Sequence, residues 1–165
     1  MIIPFTQAAA SIAVLPYRDN AFDSRISGKE YARMLSLGIL LMKDTDVLSP
    51  EEADIGMKQL GINPQGSVDA EDLNAFGIKY NLKYILLGSI SKNRGEFAFD
   101  NVLYSVRDRK VLSRNHNSTR DIYKLVQLEI KDTLINFSKK NAITGKSQAD
   151  VVFLFDTSYN ISDEW

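Results

Sequence analysis

At 165 residues, with 44% hydrophobic and 25% charged residues, the chain has the size of one domain that can bury its own core. A net charge of −1 gives no electrostatic drive toward nucleic acid or an anionic membrane surface. The lack of cysteine excludes a disulfide framework, a thiolate metal site and a Cys nucleophile, and no stretch reaches the roughly 18 apolar residues of a membrane span.

Residues 1–10, MIIPFTQAAA, are apolar and then small, ending in the kind of alanine run found at signal-peptidase sites, without the basic start of a whole signal. They read as a signal-peptide remnant or a disordered start, which tilts the compartment toward export. SIAVLPY (11–17) is a short strand closed by Pro16, and the polar RDNAFDSRIS is a loop. Ser27-Gly28-Lys29-Glu30 is a capping box opening a helix to about Met42. Its apolar stripe runs Tyr31, Met34, Leu35, Gly38 and Leu41 or Met42. Leu37 and Leu40 widen the stripe and predict a well-buried helix.

Val47-Leu48 is a minimal strand. Ser49-Pro50-Glu51-Glu52 starts a second helix, with an N-cap serine, proline at the first position and acids at the positive end; it closes near Leu60 with Gly61. Asp69 caps a third helix, with Ala70, Leu73, Phe76 and Tyr80 on one face and Asn81 as its left-handed stop. Residues 82–91 form a buried strand, SKNRGE a turn, and Phe97 to Val106 a long strand. There Val102, Tyr104 and Val106 share one face, opposite Phe97 and Phe99. Arg107 to Lys110 turn the chain into a strand over Val111 to Asn115. Ser118-Thr119-Arg120-Asp121 then caps a long helix to about Lys139, with Ile122, Val126, Ile130, Leu134 and Phe137 inside.

The order β-α-β-α-α-β-β-β-α gives an α/β (α+β) domain over residues 11–140: a mixed sheet whose late strands form an antiparallel meander, with helices packed mainly on one face. NAITGKSQ (141–148) is a linker. At 149–165, DVVFLFD starts a further strand, an apolar run between Asp150 and Asp156.

Four segments together resemble a known family. SIAVLPYRDN, DVLSPEEADIGMKQLGI, NLKYILLGSISKN and NVLYSVRDRKVLSRN, in this order and followed by a long helix, are similar to the amino-terminal domain of TolB and its CsgG, FlgO and LpoB-like relatives, over about residues 11–139. Asn81-Leu82-Lys83 stands where the family has Gly-Ala-Asp. Ser105 replaces its hairpin Asp, and Arg109 its turn Gly. The resemblance implies a periplasmic or exported setting in a bacterial envelope. Relatives there act by docking to other envelope proteins or by self-association.

The tail, DVVFLFDTSYNISDEW, resembles the first strand and metal loop of a von Willebrand factor type A domain, cut short. By position, Asp156 and Ser158 match that family's cation ligands and Asn160 replaces a second serine, an oxygen-ligand set suited to Mg2+ once later loops complete it. The chain would then be a spacer beside a metal-dependent adhesion domain.

Other chemistry reads as structure. His116 is the lone histidine, and it lies among turn and cap residues. The acid pairs Glu51-Glu52 and Glu71-Asp72 sit in first turns of helices, where the dipole accounts for them. Phe97, Phe99 and Tyr104 without a basic surface read as core rather than base-stacking groups. The expected function is a non-catalytic interaction or scaffold module with no catalytic residues and no cofactor of its own. Its exposed contacts are the hairpin at 93–95, the 18–26 loop and an open sheet edge.

Overall fold

A computed structural model describes residues 12–22, 26–43, 45–121, 123–125 and 127–132. One six-stranded mixed sheet organises the described residues, with strand order β3-β1-β4-β5-β6 and β2 paired to β4. Strand β1 (Ile12–Val14) lies parallel to both β3 (Val47–Leu48) and β4 (Tyr84–Asn93). The long strands β4, β5 (Glu96–Ser105) and β6 (Lys110–Thr119) form an antiparallel meander.

The polar stretch after Pro16 is not simply a loop. Residues Arg18–Asn20 form β2, which pairs in parallel with Ser89 to Ser91, so β1 and β2 are two halves of one strand along β4. Pro16, which has no amide hydrogen, lies at the interruption. Just beyond, the Asp19 carboxylate accepts from the amides of Ala21, Phe22 and Gly28 and folds the chain back toward the first helix.

Helix α1 (Gly28–Lys43) opens with the expected capping box. The Ser27 hydroxyl accepts from the Glu30 amide at 3.2 Å, and the Glu30 carboxylate accepts from the Ser27 amide at 2.8 Å. Helices α2 (Pro50–Gln59) and α3 (Ala70–Lys79) have capping boxes at Ser49 and Asp69. Asn81 takes the left-handed conformation, with φ 51°. A closing helix, α4, contains residues 123–125 and 127–132.

The helices occupy both faces, which corrects the expectation that they pack mainly on one. Tyr31, Leu35 and Ile39 of α1 and Leu125 and Ile130 of α4 cluster with Ile12, Val14, Leu86, Phe99 and Leu103. On the other side, Ala53 and Met57 of α2 and Leu73 and Phe76 of α3 cluster with Ala13, Ile85 and Tyr104. A parallel strand such as β1 is apolar at every position because it is covered twice. Alternation in β4 and β5 likewise sends neighbouring residues to opposite cores.

Leu37, Leu40 and Leu41 are exposed at 51%, 47% and 56%, so α1 is half-buried rather than well buried. The stripe Tyr31-Leu35-Ile39 satisfies the contact with the sheet, and the three leucines lie on the far side of the helix.

Candidate functional site

The residues expected to ligate a cation, Asp156, Ser158 and Asn160, lie outside the described residues, as do the linker at 141–148 and residues 1–10. Among the described residues, no group of three or more His, Cys, Asp or Glu side chains is placed to hold a metal ion.

His116 is not in a turn. Strand β6 continues to Thr119, and Asp121 rather than Ser118 caps the next helix, accepting from the amides of Tyr123 and Lys124 at 3.0 and 3.3 Å. His116 Nδ1 lies 2.8 Å from Asp100 Oδ1 in an exposed cross-strand pair, and Ser118 Oγ donates to Glu96 at 2.8 Å. Such exposed pairs contribute under about 1 kcal/mol.

Helices α2 and α3 cover only the lower half of their sheet face. Cα partners in a sheet share a face, so the register defines what the upper half presents. One row runs Arg18, Ser89, Asp100 and His116 across β2, β4, β5 and β6. The row above runs Asn20, Ser91, Ala98 and Ser118, and the row below Leu87, Val102 and Arg114. Where this open face meets the α2–α3 connection there is a cleft of about 190 Å³, lined by Leu15, Pro16, Arg18, Pro64, Val68, Leu87 and Val102 among others. The connection is held in shape by Asn63, whose side chain accepts from the Gln65 amide and whose carbonyl accepts from the Gly66 amide. Arg18 and Arg114 are exposed, and neither is ion-paired among the described residues.

Strand β6 forms the far edge of the sheet and pairs only with β5 among the described residues. Its ten residues, KVLSRNHNST, are mostly polar. Polar composition on an edge limits promiscuous pairing while leaving every outward amide and carbonyl available.

The opposite face holds a buried polar cluster that the sequence reading did not single out. Glu129 of α4 is fully buried and accepts from Asn117 Nδ2 of β6 at 2.5 Å. Burial is the main cause that pushes its carboxyl up to about 7; the Asn117 hydrogen bond opposes this, while the Asp132 and Asp100 charges add to it. Nearby, Tyr17 donates to the Asn101 side-chain carbonyl. Tyr31 stacks against Phe99 with ring centroids 3.9 Å apart. Burial, reinforced by Glu129, holds both tyrosine hydroxyls well above their usual range, so they stay neutral. Tyr31 Oη, Asn101 Nδ2 and Glu129 Oε2 are buried with no hydrogen-bond partner among the described residues. The sequence signal for this cluster is Glu129 itself, four residues after the buried Leu125, where an apolar residue would continue the stripe.

No family model matches the chain, and no curated protein matches it. Solved structures do. The LpoB C-terminal domain from Salmonella enterica matches with TM-score 0.54 and 16% identity over 68% of this chain and 84% of that one. E. coli LpoB matches with TM-score 0.55 and 16% identity over 66% of this chain and 55% of that one. A PelC dodecamer from Paraburkholderia phytofirmans matches with TM-score 0.50 and 11% identity over 78% and 88%. The fold of this chain is therefore similar to that of the LpoB C-terminal domain, in line with the resemblance of residues 11–139. The comparisons lend no support to a von Willebrand A segment in the tail.

Proposed function

We propose that this chain is a non-catalytic protein-docking module of a bacterial envelope protein, acting in the periplasm or beyond it. The observation that carries this reading is the ten-residue β6 edge, open along its outer side among the described residues. An open edge takes a partner strand through main-chain hydrogen bonds, and side chains at alternate positions give selectivity. The envelope setting is supported by the four ordered motifs that resemble TolB and its relatives and by the LpoB-like fold.

Proline on β6 tests the edge. Alternate residues of an edge strand point their amides outward, so one of Asn115→Pro and His116→Pro removes only an outward donor, while the other breaks the ladder to β5. The full chain, used as bait in a bacterial envelope extract, captures a partner. The proline variant that melts like the wild type loses that capture. Unchanged capture by this well-folded variant would refute the edge as the docking element.

A second copy of the chain is the other candidate occupant of this edge, and the dodecameric state of the structurally similar PelC favours it. Sedimentation of the purified chain separates the two: a heterologous partner leaves it monomeric, and self-pairing gives an assembly that the same proline disperses.

A further inference from the structure

We infer that the open half-face above α3 is a second docking site, and that it takes an extended partner segment with the pattern acid, any residue, aliphatic, any residue, acid. This deepens the docking reading and rests on it. The floor is apolar and shaped to receive one side chain: Leu87 and Val102 face each other across β4 and β5, and Leu15, Pro64 and Val68 wall the cleft in front of them. Its volume of about 190 Å³ suits an aliphatic side chain rather than a cofactor.

The charge around the floor is asymmetric. Arg18 lies on β2 at one side, and Arg114, the register partner of Val102, lies on β6 at the other; both are exposed and without an ion-pair partner among the described residues. Asp100, the acid in the row above the floor, is already engaged by His116. The small residues Ser89, Ser91 and Ala98 keep the sheet above the cleft low enough for a chain to lie on it.

Geometry sets the spacing. The two arginines stand on strands three spacings apart, about 14 Å across the sheet. In an extended segment, residues i, i+2 and i+4 point to one side, and i to i+4 spans about 13 Å. A segment crossing the strands therefore places its central side chain in the cleft and its outer two over the arginines. The long guanidinium stems absorb the offset between the Ser89 and Val102 rows. Carboxylates are the complementary groups, because a guanidinium engages them through two parallel hydrogen bonds.

Fluorescein-labelled peptides test this, with anisotropy as the readout and titration into the millimolar range. The full chain binds a peptide with an Asp-Ser-Leu-Ser-Glu core. It binds Asn-Ser-Leu-Ser-Glu and Asp-Ser-Ser-Ser-Glu about fivefold more weakly or worse, the change expected from loss of one exposed ion pair or one small apolar contact. Arg18→Glu and Arg114→Glu each weaken the first peptide by about as much, and the double variant abolishes binding while melting like the wild type. Absence of binding to the wild type, or equal binding to the double variant, overturns the site. Capture from envelope extract by the β6-intact chain is scored separately. If capture persists while the peptide fails to bind, this site falls and the docking module stands; if capture also fails, the docking reading falls with it.

Discussion

Gly88 shows how tightly the middle of the sheet is set. A Cβ built there would lie 2.2 Å from the Asp100 carbonyl oxygen and 2.7 Å from Tyr17 Cε1. The carbonyl belongs to the paired strand β5 and cannot swing aside, so Gly88→Ala must displace backbone. We expect it to cost at least about 2 kcal/mol in urea unfolding. Gly95 is the contrast: its φ of +82° is a left-handed turn conformation with nothing within 4 Å of a built Cβ. There alanine meets backbone strain alone, about 1 kcal/mol. The sequence shows both as isolated glycines, and only the strand register separates a crowded position from an open one.

Among the elements, helix starts were legible because they are local. Ser49 and Asp69 each satisfy end amides within three residues, and both caps form where the sequence placed them. Ser49→Ala should cost about 1 kcal/mol in thermal or urea unfolding. The faces of α1 were less legible, since Leu37, Leu40 and Leu41 have the same chemistry as the buried leucines. Leu35→Ala should cost about 2–5 kcal/mol, and Leu40→Ala, with its side chain on the solvent side, about 0.5 kcal/mol or less. Equal losses for the two would show that something covers the outer stripe in solution. Strand β2 was missed because Arg-Asp-Asn has no alternation; its pairing is imposed by the length of β4. The expected strand over Val111 to Asn115 stops short of Thr119 because HNST, residues 116–119, has the composition of a turn. An edge strand needs no apolar residue on its solvent side, so polar composition there does not exclude a strand. The two arginines of the open face were invisible because residues 18 and 114 come to flank one apolar floor only once four strands are in register.

For the whole molecule, Glu129 ties stability to pH. Burial holds its folded carboxyl up at about 7, above the usual carboxylate range, so between these limits the folded protein holds a proton that the unfolded chain releases. Stability therefore falls as pH rises through this window, by on the order of 3 kcal/mol in all. The groups that face Glu129 are Tyr31 of α1, Tyr17 at the β1–β2 interruption, Asn117 of β6 and Asp132 of α4, while the charges of Asp100 and His116 reach it from the other face of the sheet. Glu129→Gln keeps an acceptor for Asn117 and has no proton to lose. Melts of both proteins from pH 5 to 8 should diverge as pH rises, with the variant the more stable at pH 8. Parallel curves would assign the pH dependence elsewhere.

The position of β1 has a kinetic consequence. Each hairpin of the meander closes over a turn of a few residues, so the three long strands can zip together quickly. Ile12, by contrast, must find both Val47 and Tyr84, far along the chain. During synthesis β1 leaves the ribosome well before β4, and until β4 appears its apolar residues stay accessible to chaperones or to a neighbouring nascent chain.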